Sequence, residues 1–275
     1  MTKGIVKGII SNLVQVEVDG PVSQNEICYI DMEGVKLMAE VIKVTGDIAF
    51  TQVFESTRGL KPGCPVEFTE RMLEVKLGPG MLSKNYDGLQ DDLNKMEGMF
   101  LSRGDYTDPL DADSVWRFQP LAKPGDSVSA GDWLGTVKEN WIDHKIMVPF
   151  LMEGKYAVKS VAPEGDYKIA DTIATLTDAG GKEIPLNMIQ YWPVKLPIRA
   201  YAAKPRPFKM METGVRTIDT LNPIAEGGTG FTPGPFGTGK TVLQHAISQN
   251  AEADMIIVAA CGERANEVVE LFTEF

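Results

Sequence analysis

The stretch Gly234-Pro235-Phe236-Gly237-Thr238-Gly239-Lys240-Thr241 decides the fold of the last part of this chain. It matches the phosphate-loop pattern GxxxxGK[ST] at every position. The glycines let successive backbone N–H groups turn toward a phosphate, and the following helix points its positive end at the same oxygens. Lys240 is then expected to reach the β- and γ-phosphates, and the Thr241 hydroxyl to bind Mg²⁺. The pattern therefore predicts a nucleotide site in an α/β unit.

The segments on both sides of this loop support an α/β unit. A helix is predicted over residues 241–249, and the continuous apolar run at 255–260 predicts a buried parallel strand. Residues 214–221 have the pattern of a short amphipathic helix. The strand expected just before the loop, at 229–232, is less apolar than a buried strand should be.

A second group of candidate site residues, Cys261-Gly262-Glu263-Arg264, follows the predicted strand. A carboxylate at the C-terminal edge of a parallel strand lies on the side where α/β sheets bind ligands. Glu263 is therefore a candidate catalytic residue that would orient a water near the γ-phosphate, and Arg264 a candidate nucleotide contact. A solvated charge pair between Glu263 and Arg264 explains the same spacing equally well.

The first part of the chain has the pattern of β structure. Residues 13–18 alternate apolar and polar side chains, and turn signals recur at 33–34, 45–47 and 61–63. These features predict a compact β domain that ends near Thr69. A connector with a short helix at 89–96 is expected after it.

A second β-rich block at about 115–192 contains a weak internal repeat. Pro-Gly-Asp at 124–126 and Gly-Asp-Trp-Leu at 131–134 are echoed by Pro-Glu-Gly-Asp at 163–166 and Asp-Thr-Ile at 171–173. Two such hairpin units predict a sandwich of two related halves. Lipoyl and biotinyl carrier domains have a similar pattern, but the candidate acceptors Lys145 and Lys155 lack the flanking Met-Lys signature of those domains.

Composition narrows the classes of function. The 275 residues carry a net charge of −11 and a pI of about 4.8, which disfavours binding to nucleic-acid backbones. The basic residues between 195 and 209 are interrupted by prolines and are interpreted as a connector. Three widely spaced cysteines argue against a disulfide framework or a zinc site. With no signal-peptide pattern or membrane-spanning run, we expect a cytoplasmic protein that reaches a membrane only through partners.

The phosphate loop with Pro and Phe after its first glycine resembles that of the catalytic A (alpha) subunit of V/A-type rotary ATPases and differs from the loops of F-type subunits. The resemblance extends over the whole chain. Other segments that agree lie at residues 78–80, 86–89, 141–146, 192–194, 214–221 and 261–264.

The resemblance implies a mixed β and α/β fold with four parts. They are an N-terminal β-barrel at 1–69, a connector and first part of the nucleotide-binding domain at 70–112, an inserted β-sandwich "bulge" domain at 113–191, and a RecA-like phosphate-loop domain at 192–275. The last part is expected to stop before the Walker B strand, so the chain alone is not expected to hydrolyse ATP.

The resemblance also implies a function, ATP synthesis or hydrolysis coupled to proton or sodium transport. Lys240 and Glu263 correspond to the family's phosphate-loop and catalytic residues, Thr241 to its Mg²⁺ ligand, and ATP or ADP with Mg²⁺ is the cofactor. The implied partners are B subunits in an alternating hexamer and the central and peripheral stalk subunits, on the inner face of the cell membrane. No nucleic-acid partner is expected.

The chain departs from the family's sequence pattern at two positions. The family has Gly where this chain has Ala265, and Thr238 replaces a redox-sensitive Cys of eukaryotic relatives, so disulfide control is not expected.

Two alternative functions are also compatible with the sequence. One alternative is a RecA-like ring translocase of nucleic acid, which the acidic charge disfavours. The other is a noncatalytic nucleotide-sensing assembly module, which would not need Glu263.

Overall fold

A computed structural model of the chain describes residues 1–96, 98, 100–199, 201, 203–235 and 237–274. It divides into two compact units, Met1–Tyr201 and Ala202–Phe275. The first unit holds two β domains, and the second holds the phosphate loop. None of the helices in the described ranges has the length and apolar character needed to cross a membrane.

The first domain is a closed six-stranded barrel with the strand order β1-β2-β5-β4-β3-β6. Its strands are β1 (Lys3–Ile10), β2 (Leu13–Val18), β3 (Glu26–Met32), β4 (Val35–Thr45), β5 (Ile48–Val53) and β6 (Pro65–Met72). Alternate residues face the interior, so that Val14 and Val16 of β2 are fully buried beside Phe68. The predicted small barrel is confirmed, and its last strand runs three residues past Thr69.

A connector follows β7 (Glu74–Leu77), and the one helical element among its described residues is a 3-10 turn, Leu93–Lys95. The helix predicted at 89–96 is therefore wrong. The Asp87 carboxylate accepts the N–H groups of Leu89 and Asp91, and the Gln90 amide bonds both backbone groups of Lys76. The Leu93 N–H, which a helix would bond to the Leu89 carbonyl, donates to the Asn85 carbonyl at 3.0 Å instead.

The second domain is a sandwich of two four-stranded antiparallel sheets, ordered β11-β10-β8-β13 and β15-β14-β12-β9. Its strands are β8 (Val115–Pro120), β9 (Ser127–Val128), β10 (Trp133–Glu139), β11 (Ile142–Met147), β12 (Tyr156–Val161), β13 (Gly165–Lys168), β14 (Ala174–Thr177) and β15 (Glu183–Leu186). β16 (Gln190–Pro193) then pairs with β7. The predicted sandwich is confirmed, and its core includes Leu110, which precedes the expected domain start at residue 113.

The parts of the internal repeat at 131–134 and 171–173 contain the same turn, which also occurs where Asp126 accepts the N–H of Lys123 at 2.7 Å. Asp132 accepts the N–H of Ser129 at 2.7 Å, and Asp171 accepts the N–H of Lys168 at 2.8 Å. Two residues after each Asp comes a fully buried aliphatic side chain, Leu134 or Ile173. Lys145 lies within β11 with its Nζ 4.8 Å from the ring centroid of Trp133. Lys145 therefore does not lie at a hairpin tip, where a carrier domain would need its acceptor lysine.

A buried carboxylate joins the connector to the sandwich. The Glu139 side chain is 3% exposed; its Oε1 accepts the N–H groups of Gly80 at 2.7 Å and Leu82 at 3.1 Å, and its Oε2 lies 2.7 Å from Nδ1 of His144. Burial alone would raise the pKa of Glu139, but the hydrogen bonds from His144, Leu82 and Gly80 outweigh burial and hold this pKa below its ordinary 4.5. The ionised carboxylate is thus part of the packing.

The second unit contains a two-stranded ribbon and three helices. Their bounds are β17 (Met210–Met211), α1 (Arg216–Leu221), β18 (Ile224–Ala225), α2 (Lys240–Asn250) and α3 (Ala265–Glu274). The helices predicted at 214–221 and 241–249 are confirmed as α1 and α2. Residues 229–232 form no strand.

The buried strand predicted at 255–260 is wrong. These residues have no regular structure, and Ile257 is 84% exposed. A strand is stable only when it pairs with neighbours and has a face to bury. Within the described part of the second unit, the only pairing is the two-residue ribbon of β17 and β18. The apolar run therefore has no described strand beside it.

Candidate functional site

The phosphate loop leads directly into α2. Gly239 caps the helix with φ 80° and ψ 20°, a left-handed conformation in which any other residue would be strained. Its carbonyl accepts the N–H of Leu243 at 2.9 Å, which is the first hydrogen bond of the helix. The N–H groups at the start of an α-helix have no intrahelical acceptor, and they carry the positive end of the helix dipole. Glycine at 239 thus lets this end face the loop.

The turn of the loop is closed by its own residues. The Thr238 hydroxyl donates to the Pro235 carbonyl at 2.8 Å. A Cβ atom at Gly234 would lie 2.6 Å from Oγ1 of Thr238, so only glycine allows this close approach. Gly237 also has a positive φ of 80°. Phe236 lies outside the described residues.

The two side chains predicted to contact phosphate and metal lie in the first turn of α2. Lys240 is exposed and Thr241 is half-buried. Among the residues that the structure describes, no carboxylate forms an ion pair with Lys240. An ammonium group, a hydroxyl and a positive helix end on one glycine-rich turn fit a phosphate group and its Mg²⁺ ion.

Glu263 and Arg264 lie in the loop that precedes α3, and both are exposed. The Arg264 carbonyl accepts the N–H of Val268 at 3.1 Å at the start of that helix. No hydrogen bond or ion pair among the described residues joins Glu263 to the phosphate loop. Its expected place at the edge of a parallel strand is wrong because that strand is not formed. The roles of Glu263 and Arg264 remain predictions.

Two cavities lie in the first unit. One, of about 240 Å³, is lined mainly by apolar residues of β11 and of the segments around residues 77–81 and 187–190, with the ring of His144 at its wall. The other, of about 210 Å³, lies on the outer face of β8, β10 and β11. We take the phosphate loop as the candidate site because its side chains and helix end fit a phosphate group and Mg²⁺. Neither cavity brings together polar groups that fit one kind of ligand.

Sequence reasoning missed a hydrogen-bonded pair at α1, Thr213 just before the helix and Asp219 within it. Thr213 is fully buried, and its hydroxyl donates to Oδ1 of Asp219 at 2.6 Å. The hydroxyl and backbone N–H of Thr213 hold the pKa of Asp219 below its ordinary value. A threonine placed just before a predicted helix was the available signal, because such residues commonly bond at helix starts.

Family models match three successive parts of the chain. The ATP synthase alpha/beta family beta-barrel domain matches residues 6–70, the alpha/beta subunit barrel-sandwich domain matches 107–195, and the nucleotide-binding domain of the same family matches 214–275. These ranges correspond to the barrel, the sandwich and the phosphate-loop unit.

Curated relatives align with the whole chain. The V-type ATP synthase alpha chain of Treponema denticola is 51% identical over 277 residues, which are 100% of this chain and 47% of the relative. The alpha chain of Borrelia garinii subsp. bavariensis is 48% identical over 100% of this chain and 48% of the relative, and that of Borrelia recurrentis is 50% identical over 99% and 48%. The chain thus spans about half the length of these relatives. With three family domains in order and an alignment along its full length, the chain belongs to the ATP synthase alpha/beta family as a relative of the V-type alpha chains.

Proposed function

We propose that this chain provides the ATP-binding portion of the catalytic alpha (A) subunit of a V-type rotary ATPase. In the complete complex, ATP synthesis or hydrolysis would be coupled to proton or sodium transport. The observation that carries the proposal is the phosphate loop itself, with Lys240 and Thr241 in the first turn of α2 and Gly239 as its cap. The names of the relatives and the nucleotide-binding domain match support it.

Each candidate residue has a chemical role in this proposal. Lys240 neutralises charge on the β- and γ-phosphates, and Thr241 contributes its hydroxyl to Mg²⁺. The loop from Gly234 to Gly239 surrounds the phosphate, and its backbone N–H groups, which Pro235 lacks, hold the phosphate oxygens, with Phe236 and Arg264 as further nucleotide contacts. When bound, Mg²⁺ with ATP or ADP supplies charge neutralisation at the transferred phosphate. Glu263 orients the water that attacks it.

The surroundings of the site follow from the same proposal. We assign residues 1–69 to the barrel, 70–112 to the connector, 113–191 to the bulge domain and 192–275 to the phosphate-loop domain.

The proposal also gives the partners of this subunit. B subunits would alternate with this subunit in a hexamer, and stalk subunits would contact the ring. The complex would lie on the cytoplasmic, inner face of the cell membrane, held there by other subunits. The net charge of −11 supports the absence of a nucleic-acid partner.

The test uses the complete subunit assembled with its B partners. Lys240→Ala should weaken nucleotide binding and abolish turnover together, because phosphate charge is left unmatched in both the ground state and the transition state. Glu263→Gln should keep Mg-ATP binding and lower hydrolysis by more than about 100-fold. Near wild-type turnover by the Gln variant would show that Glu263 is only a surface charge.

A further inference from the structure

A polar clamp precedes the phosphate loop in sequence. Thr213, which is fully buried, donates to Oδ1 of Asp219 twice, from its hydroxyl at 2.6 Å and from its backbone N–H at 3.0 Å. The Thr213 hydroxyl oxygen also accepts the N–H of Val215 at 3.2 Å. Because the hydroxyl is used as donor and as acceptor, the short segment before α1 has one fixed path.

This segment contacts the far end of the phosphate-loop helix. Gly214 has φ 72°, and a Cβ atom built on it would lie 2.7 Å from Cβ of Asn250, the last residue of α2. The Glu212 carbonyl accepts the N–H of Glu252 at 3.3 Å, just past the helix. Residues 212–214 therefore hold the C-terminal end of α2 by direct backbone contact.

The two-stranded ribbon on either side of α1 in sequence also holds the chain segment that leads into the loop. The ribbon of β17 and β18 is closed by an ion pair of 2.7 Å between Lys209 and Glu226. The N–H of Gly228 returns to the Ala225 carbonyl at 2.8 Å. From there the chain runs to Gly234. The segment from β17 through α1 to β18 thus anchors both the chain that enters the loop and the C-terminal end of α2, the helix that follows the loop.

We propose that Thr213 and Asp219 are positioning residues for the phosphate loop. Their hydrogen bonds fix the segment against which α2 ends, and α2 carries that constraint to Gly239 and Lys240. The helix has 11 residues and is about 16 Å long, so a tilt at Asn250 displaces the N–H groups at its start. This inference rests on the proposed nucleotide binding, but it assigns a role to residues that contact no nucleotide.

The experiment compares Mg-ATP affinity among variants of the 275-residue chain, measured with a fluorescent nucleotide and competition by unlabelled ATP. Thr213→Val removes the hydroxyl while keeping the shape of the side chain, and it should weaken binding by about threefold to tenfold. Thr213→Ser restores the hydroxyl and should bind within about twofold of the wild type. Thr220→Val is the matched control, because its exposed hydroxyl bonds only the Arg216 carbonyl of its own helix.

A second variant and a second measurement protect the test from misfolding. Asp219→Asn keeps the shape of the acceptor but removes its charge, and it should also lower affinity. Thermal melting identifies the folded variants, and hydrogen exchange should show faster exchange of the α2 amides in Thr213→Val than in Thr220→Val.

The outcomes separate the two proposals. If the wild-type chain binds Mg-ATP and folded Thr213→Val and Asp219→Asn bind it equally well, the clamp is only structural and the positioning role is overturned. If the wild-type chain binds no better than its Lys240→Ala variant, nucleotide binding at this loop is itself refuted. Weaker binding by the Val and Asn variants, with rescue by Ser, supports the positioning role.

Discussion

Replacing Glu139 with alanine is expected to destabilise the first unit more than the substitution of any exposed residue. The carboxylate accepts hydrogen bonds from Gly80, Leu82 and His144, and its side chain is 3% exposed. A hydrogen bond to a charged group contributes about 1.5–3 kcal/mol, but Gly80 and Leu82 are half-buried and can partly regain water. The net loss should be about 3 kcal/mol, or a fall in Tm of roughly 6–12 °C for a unit of this size.

The assay is thermal unfolding followed by circular dichroism at neutral pH. Glu139→Gln keeps the shape and one acceptor oxygen, so its Tm should lie between those of the alanine variant and the wild type. Glu164→Gln is the control, because that carboxylate pairs with Arg117 at the surface with 51% of its side chain exposed. It should melt within about 2 °C of the wild type. A Glu139→Ala variant as stable as this control would refute the stabilising role of the buried carboxylate.

The same carboxylate predicts a pH dependence with a definite sign. Its pKa in the folded state is held below the ordinary 4.5, so its ionisation stabilises the fold above that pH. This contribution is lost as the pH falls from about 4.5 through the folded-state pKa. The stability difference between the wild type and Glu139→Gln, measured by urea unfolding, should therefore narrow on acidification. A difference that stayed constant down to about pH 3 would contradict the shift.

Three further predictions concern the whole chain and its parts. The 275-residue chain alone should show no ATP hydrolysis above a Lys240→Ala control in a phosphate-release assay, because no described strand holds Glu263 beside the loop; turnover that Lys240→Ala eliminates would contradict this. A fragment of residues 107–195 should melt cooperatively and at a higher temperature than one of 113–191, because burial of Leu110 contributes about 1.5–3 kcal/mol; equal melting temperatures would show that Leu110 is not part of the core. Gly239→Ala should lower Mg-ATP affinity in a titration, because a Cβ at φ 80° costs about 1–2 kcal/mol in that conformation; unchanged affinity would mean that the loop tolerates another cap.

The sequence predicted those elements whose stabilising contacts lie close along the chain. In β2, period-two alternation places Val14 and Val16 inside the barrel, where both are fully buried. Each hairpin brings its own pairing partner, so the local pattern and the tertiary structure agree. The repeated turns at Asp132 and Asp171 were visible for the same reason, since each turn closes over three residues.

The predictions failed where side-chain hydrogen bonds or distant partners decide the structure. The helix at 89–96 is lost because the Leu93 N–H, which a helix would bond to the Leu89 carbonyl, donates to the Asn85 carbonyl instead. The strand at 255–260 needs a neighbour that the described residues of the second unit do not provide. The Thr213 clamp was missed because a threonine before a helix indicates a bond to a nearby backbone N–H, whereas Thr213 also bonds the side chain of an aspartate six residues later.

This difference between local and distant contacts separates nucleotide binding from hydrolysis in the proposed site. The loop is closed by the hydrogen bond from Thr238 to Pro235, and Gly239 starts α2 within the same eight residues. Phosphate binding therefore depends on contacts within the described second unit, both inside the loop and, as proposed above, between residues 212–214 and the end of α2. The position of Glu263 follows from residues 255–260, which are exposed and unpaired with any described strand. Glu263→Gln should consequently leave the Mg-ATP affinity of this chain unchanged, and its effect should appear only in hydrolysis by the complete subunit, where pairing of 255–260 would set the carboxylate beside the loop. An equal loss of affinity in the chain alone would show that Glu263 already contacts the nucleotide without that strand.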